Sequence, residues 1–521
     1  MQLTCWSRRG AALGLAAVLM PAAPAPPAPV LEVLVVVDQL RGDYLDRFGR
    51  EFRGGFARFV REGVHYTDAH QDHAITETGP GHATTLSGRS PASVGIVGNR
   101  IGVGDTTASL LGSKGQGASP FRFRGTTLHD WLRRHDPATR ALSVSGKDRG
   151  AILPIGRAKA DVYWYVAGRF TTSTWYRSAL PKWLEAWNAR RGAAKLAGHA
   201  WTLSRPESAY PEPDAVPYEN GGRDVVFPHR LPTDPVDAEG AVGSSPWADS
   251  LALDVALEGV RALQLGRRQG TDLLVVSLSA TDIVGHRYGP DSREVHDQLL
   301  RLDGWLGVFL DSLGVLVPKE RTVVVLTGDH GVHPFPERGR GGRASMTALL
   351  RSASGTLRER HGSTFGLALV SGLLIADTAA LRARGVRVDS LSAALAEAAT
   401  KLVGVRQVFT PARLGTSDGE EARLWRKAIA PSQPWLIAAS LEPGWQWSDG
   451  PGSTDHGATD RDDTHVPIAV LGPGLKARRV SRRVTTEDIG PTLAALAGVR
   501  PMEAVTGQVL PEIIDARTSS R

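Results

Sequence analysis

Three aspartates stand at or just beyond the ends of strongly apolar runs: Asp38 after residues 30–37, Asp282 after 273–278, and Asp329 after 322–326. A lone aspartate in such a place commonly shapes a turn or caps a helix. The histidines nearby widen the chemistry. His286 follows Asp282 by four positions, so on a helical turn both side chains address one point. His330 adjoins Asp329 in Thr327-Gly328-Asp329-His330-Gly331, where a turn between the glycines would let both reach one ion. Asp455-His456-Gly457 places a further histidine at the mouth of a Gly- and Asp-rich loop. Carboxylates with two or three histidines and no cysteine suit Zn²⁺, with Mn²⁺ or iron as alternatives. His73, His82, His333 and His465 are not obvious ligands, although one of them could support a ligand from behind. The segment Thr76-Glu77-Thr78-Gly79-Pro80-Gly81-His82-Ala83 reads as a loop opening into a helix. Proline near a first helical position is pre-organised, and the free N–H groups there favour an anion. Thr78 then stands where a hydroxyl would meet a bound oxyanion.

Such residues need a scaffold that ends several strands at one edge. Residues 30–37 (VLEVLVVV), 273–278, 322–326 and 466–471 are nearly continuous apolar runs. Continuous rather than alternating hydrophobicity predicts central strands covered on both faces, as in a mostly parallel sheet. In open α/β sheets, ligands bind beyond the carboxyl ends of the strands, where Asp38, Asp282 and Asp329 fall. Val295, Leu299, Leu302, Leu306, Phe309 and Leu313 recur at helical spacing and predict one amphipathic crossover. Thr485-Thr486-Glu487-Asp488 precedes Ile489, Leu493 and Leu496, a capped helix closed by Gly498. Residues 152–249 hold six of the 13 tryptophans and a Pro-rich stretch, and read as an insertion or cap walling one side of a pocket.

The start of the chain has a different purpose. Arg8 and Arg9 precede an apolar run over residues 11–20, followed by small residues and proline. That is the pattern of an export signal over residues 1–25, by a Sec or twin-arginine route, leaving 26–521 as the catalytic body in the periplasm or medium. Cys5, the single cysteine, would leave with it, so neither disulfides nor thiolate ligands are expected. No later segment is long and apolar enough for a membrane span. With 41% hydrophobic and 22% charged residues, the chain is neither disordered nor collagenous. A net charge of +7, dispersed among many acids, is too weak for nucleic-acid recognition as the main role.

In combination, Asp38, Thr78-Gly79-Pro80-Gly81-His82, Asn99, Lys147-Asp148-Arg149, Asp282 with His286, Asp329-His330 and His456 resemble the alkaline phosphatase superfamily. The match is to its bacterial phosphate-irrepressible branch with a threonine nucleophile, and it runs in order along the whole mature chain. The resemblance implies an α/β fold with a central, mostly parallel sheet between helices and a cap insertion. It implies one Zn²⁺ on Asp282, His286 and His456, and a second on Asp38, Asp329 and His330 with the Thr78 oxygen bridging toward it. Asn99, Lys147 and Arg149 then grip the non-bridging phosphoryl oxygens. Relatives commonly carry an aromatic and an acid where this chain has Arg100-Ile101-Gly102, so how Asn99 is buttressed stays open.

The implied activity is hydrolysis of phosphate monoesters through a phosphothreonine, releasing inorganic phosphate. Two zincs, three aspartates, a Thr78 alkoxide, Lys147 and Arg149 sum to a charge of roughly +2, which matches a monoester dianion of about −2 better than a diester. The planar fork of Arg149 and the point charge of Lys147 suit a terminal phosphoryl group. The alternative is a phosphodiesterase or nucleotide pyrophosphatase of the same superfamily, with the Trp-rich cap receiving the second ester group. An additional Ca²⁺ or Mg²⁺ bracing the insertion is left open, as is the oligomeric state, with a monomer favoured.

Overall fold

Leu31–Val37, Asp272–Leu278 and Thr322–Gly328 are each seven residues long and buried throughout, as their nearly continuous apolar character predicts, with Glu32, Asp272 and Ser277 buried among them. The computed structural model describes residues 27–339, 341–362 and 365–519; the expected export segment, residues 1–25, lies outside them. Leu31–Val37 runs parallel between the other two, with Val37 level with Leu278 on one side and Gly328 on the other. The three strands therefore stop at one edge, and Asp38 and Asp329 emerge there side by side.

These strands centre a ten-stranded sheet. From one edge its order is Arg478–Val480, Val64–His70, His465–Leu471, Thr322–Gly328, Leu31–Val37, Asp272–Leu278, Ala141–Ser145, Asp161–Val166 and Arg169–Thr171, with Val484–Thr485 also pairing Val64–His70. The middle, from Thr322–Gly328 to Asp161–Val166, is parallel. His465–Leu471, expected as another central strand, is present but antiparallel to both neighbours. An uninterrupted apolar run is equally buried in either direction, so its composition does not fix its sense.

Helices cover both faces. Val33, Val35 and Val37 pack with Leu299, Leu306 and Phe309, whereas Leu34 and Val36 pack with Leu128, Trp131 and Leu493. The pleat sends alternate side chains into two cores, each buried valine or leucine contributing about 1.5–3 kcal/mol. The amphipathic pattern materialises as the helix Arg293–Leu316, capped by Ser292, whose hydroxyl accepts from Val295 N. The second expected helix forms as a short turn, Thr486–Asp488, leading into Ile489–Leu496. Thr485 and Asp488 make a capping box ahead of it.

Residues 152–249 contribute in two places. Asp161–Val166 and Arg169–Thr171 complete one sheet edge, where Trp183 stands edge-on to Tyr163 and Trp187 to Phe170. Further along, Tyr218 packs on Phe335 with ring centres 5.2 Å apart, and Tyr288 Oη donates to the Asp224 carbonyl at 3.1 Å. Tyr288 ends the helix Ala280–Tyr288, which carries Asp282 and His286, so this stretch braces that helix from outside. A second, smaller body follows later in the chain. Its antiparallel sheet, ordered Leu367–Val370, Leu373–Ala376, Trp435–Leu441 and Val405–Phe409, packs with Met346–His361 and Val388–Ala399 on a separate core. No sequence pattern singled it out. No described helix is long and apolar enough to cross a membrane.

Candidate active site

Histidines and carboxylates from four separated segments meet at the strand ends. On Ala280–Tyr288, His286 Nε2 lies 3.2 Å from Asp282 Oδ1. His456 Nε2 approaches the same oxygen at 3.6 Å, with the two imidazole centres 5.0 Å apart. His330 stacks on His456 at 3.6 Å between ring centres. Its Nε2 is 3.4 Å from Asp38 Oδ1, 3.6 Å from Asp329 Oδ2 and 3.5 Å from Thr78 Oγ1. The hydroxyl thus borders the cluster from the first residue of the helix Thr78–Thr85.

The tautomers are fixed from behind. His286 Nδ1 meets the Thr454 carbonyl at 2.7 Å, His456 Nδ1 the Thr76 carbonyl at 2.7 Å, and His330 Nδ1 the Gly331 carbonyl at 2.9 Å. A carbonyl only accepts, so each Nδ1 carries a proton and each ring turns its Nε2 inward. His82 takes the supporting part open to one non-ligand histidine. Its Nδ1 lies 2.9 Å from the Thr78 carbonyl and 3.1 Å from Asp329 Oδ2, and its Nε2 lies 2.8 Å from Ser277 Oγ.

The donor set fits divalent cations. Ligand atoms of Asp282, His286 and His456 fall within 4.8 Å of one another, as do those of Asp38, Asp282 and His330. Asp282 belongs to both groups, and Asp329 adjoins the second through His330. Neither oxygen of Asp38 nor Asp329 Oδ2 has a hydrogen bond of good geometry, although all are fully buried. Burial, then the Asp282 and Asp329 carboxylates, push the Asp38 carboxyl up to about 8. Cations placed among three such acids would remove that penalty.

Lys147 supplies part of the compensation, its Nζ lying 2.6 Å from Asp38 and 2.5 Å from Asp282. Burial disfavours the ammonium, but Asp282 and Asp38 outweigh it and hold its pKa above the ordinary lysine value. Arg149 follows on Asp148–Ile152; it is half-buried and pairs with Asp148 at 3.6 Å. Asn99 Oδ1 accepts from Gly79 N at 2.7 Å, which leaves the Nδ2 end of the amide to donate. Asn99 therefore sits beside the segment that carries Thr78, whereas Arg149 lies two residues along the chain from Lys147.

Sequence reasoning missed two supports. Gln39, held at φ +67°, donates its backbone N–H to Asp329 Oδ1 at 3.0 Å and its Nε2 to Asp282 Oδ1 at 2.9 Å. Glu77 accepts from Asn99 N at 2.7 Å and so provides the buttress left open above. A third acid–histidine cluster differs in kind: His333 Nε2 faces Asp460 at 2.7 Å and its Nδ1 faces Asp463 at 2.9 Å. Opposite ring nitrogens cannot serve one ion. Burial opposes protonation, but Asp463 and Asp460 outweigh it and raise the His333 pKa, and the ring joins two acids of the segment that follows His456.

The chain resembles known proteins over most of its length. The family model for type I phosphodiesterase / nucleotide pyrophosphatase matches residues 32–462. The chain is 30% identical to alkaline phosphatase PhoV of Synechococcus elongatus, over 93% of this chain and 92% of that protein. It is 30% identical to alkaline phosphatase PhoK of a Sphingomonas species, over 92% and 90%. The crystal structure of wild-type alkaline phosphatase PafA superposes with a TM-score of 0.87 at 27% identity, covering 94% of this chain and all of that one. The chain belongs to the type I phosphodiesterase / nucleotide pyrophosphatase family and, within the alkaline phosphatase superfamily, to the phosphate-irrepressible branch of bacterial alkaline phosphatases.

Proposed function

We propose that the protein hydrolyses phosphate monoesters with Thr78 as nucleophile. Thr78 Oγ1 attacks phosphorus, the ester P–O bond breaks, and the alcohol departs with a proton. Water then attacks the phosphothreonine, the P–Oγ bond breaks, and inorganic phosphate leaves with the Thr78 hydroxyl restored. Asp282, His286 and His456 would hold one Zn²⁺, and Asp38, Asp329 and His330 the other. Zinc bound there lowers the pKa of a coordinated hydroxyl and offsets charge on the departing oxygen. Asn99 Nδ2, Lys147 and Arg149 donate to the non-bridging oxygens, orienting the phosphoryl group for in-line attack.

The observation that carries this reading is Thr78 Oγ1 at 3.5 Å from a histidine that faces Asp38 and stacks on His456. The alkaline phosphatase names of PhoV and PhoK support the monoester as substrate. Export accounts for the Arg8-Arg9 start and its apolar run. We also propose that residues 152–249 act as an outer wall supporting the helix of Asp282 and His286. The test compares kcat/KM on p-nitrophenyl phosphate and its methyl diester, before chelation, after it, and after Zn²⁺ is restored. Faster monoester turnover that follows zinc supports the reading. A higher rate on the diester reassigns the protein to phosphodiesterase chemistry, and turnover indifferent to chelation removes the metals.

A further inference from the structure

We propose that Ser371, at a hairpin tip of the smaller body, is a positioning residue that fixes Asn99 through Glu77. The inference rests on the phosphoryl-gripping role given to Asn99 above.

The tip joins Leu367–Val370 to Leu373–Ala376, with Val370 paired to Leu373. The two turn residues, Ser371 and Gly372, have φ of +40° and +84°. A two-residue turn with both φ positive favours Asn-Gly, Asp-Gly or Gly-Gly, and serine is a poor choice for the first position. Its side chain accounts for the exception. Ser371 Oγ donates to Glu77 Oε1 at 2.6 Å, and Glu77 Oε2 accepts from Asn99 N at 2.7 Å. Asn99 Oδ1 in turn accepts from Gly79 N at 2.7 Å, one residue past Thr78. Three hydrogen bonds thus connect a turn in one body to the nucleophile's helix in the other.

Packing brings the tip to this place. A Cβ on Gly98 would lie 2.4 Å from Val370 Cγ1, and one on Gly457 would lie 2.5 Å from Ser371 Oγ. The tip therefore sits between the residue before Asn99 and the residue after His456, both of them glycines. Val97, Val370, Leu373 and Trp425 share one apolar cluster, against which Ile101 packs, so the two bodies are joined under the Asn99 turn. Asn99 itself stands on the three-residue turn Asn99–Ile101 and is half-buried. A group so lightly held takes its orientation from its hydrogen bonds.

The test is an epistasis measurement using Ser371→Gly, which removes the hydroxyl and suits the turn, so that loss of folding does not confound it. Monoester kcat/KM is measured for Ser371→Gly in the wild-type and Asn99→Ala backgrounds, with thermal midpoints alongside. The expected result is a loss on the order of tenfold in the wild-type background. In Asn99→Ala the further change should be under about twofold, with the midpoint unchanged or raised. Glu77→Gln, which keeps one acceptor oxygen, should fall between. Equal losses in both backgrounds, or no loss in the wild type, overturn the positioning role. If Asn99→Ala itself leaves monoester turnover unchanged, the role of Asn99 fails first, and that result is distinguishable from the others.

Discussion

Arg149→Ala should harm monoester hydrolysis far more than diester hydrolysis, and the size of the gap follows from charge. At an effective dielectric of about 20 and a separation of about 4 Å, two unit charges interact by roughly 4 kcal/mol. A monoester dianion carries up to about one negative charge more than a diester, so its extra attraction to Arg149 starts near that figure. The Arg149 side chain is 27% exposed, and solvent screening brings the difference to about 2 kcal/mol. With about 1.4 kcal/mol per factor of ten, monoester kcat/KM should drop roughly 30-fold more than diester kcat/KM. Arg149→Lys keeps the charge but loses the planar fork, and should lie between alanine and wild type. The assay is steady-state turnover of matched aryl monoester and methyl diester at one ionic strength, with zinc saturating. Equal proportional losses on the two substrates would refute the charge argument, and a larger loss on the diester would reverse it.

Gln39→Ala removes the side-chain donor to Asp282 and should weaken zinc affinity by about 10- to 100-fold, read by competition with a chromogenic chelator; unchanged affinity would deny Gln39 its orienting part. Asp72 anchors the smaller body to the larger, pairing with Arg423 at 2.6 Å and Lys427 at 2.5 Å. Burial opposes its ionisation, but Arg423 and Lys427 outweigh it and hold its pKa below the ordinary 3.8. A depressed folded-state pKa gives stability that is present above the unfolded value and lost as pH falls toward the folded one. Asp72→Asn should therefore cost about 1–3 kcal/mol at neutral pH by denaturant melts, with the difference shrinking below about pH 4. A difference that stays constant down to pH 2 would mean the carboxylate's charge is not what binds the two bodies.

Much of the scaffold was legible because its signals are local. Continuous runs such as residues 30–37 need burial on both faces, and Asp38 and Asp329 follow directly from where those strands end. The spacing of Asp282 and His286 is a helical turn, and the Val295–Leu313 periodicity is one helix face, so both survive without knowledge of partners. What stayed hidden depends on distant pairing. Gln39 looks like any polar residue after a strand; its purpose appears only when Asp282 and Asp329, 243 and 290 residues away, fold against it. Ser371 is 294 residues from the Glu77 carboxylate it meets. The smaller body escaped notice because two of its strands are only four residues long and its core is its own; Asp377 and Glu442 do follow strand ends there, but no histidine accompanies them. The sense of His465–Leu471 was invisible for the reason its burial was not: hydrophobicity has no direction.

The central claim is that Thr78 shares one centre with a pair of divalent cations, and anomalous diffraction at the zinc edge from crystals of the metal-loaded enzyme tests it most directly. Two peaks about 4 Å apart are predicted, one held by Asp282, His286 and His456, the other by Asp38, Asp329 and His330, both within reach of Thr78 Oγ1. A single peak, or metal bound away from these side chains with Thr78 uncoordinated, would contradict the account.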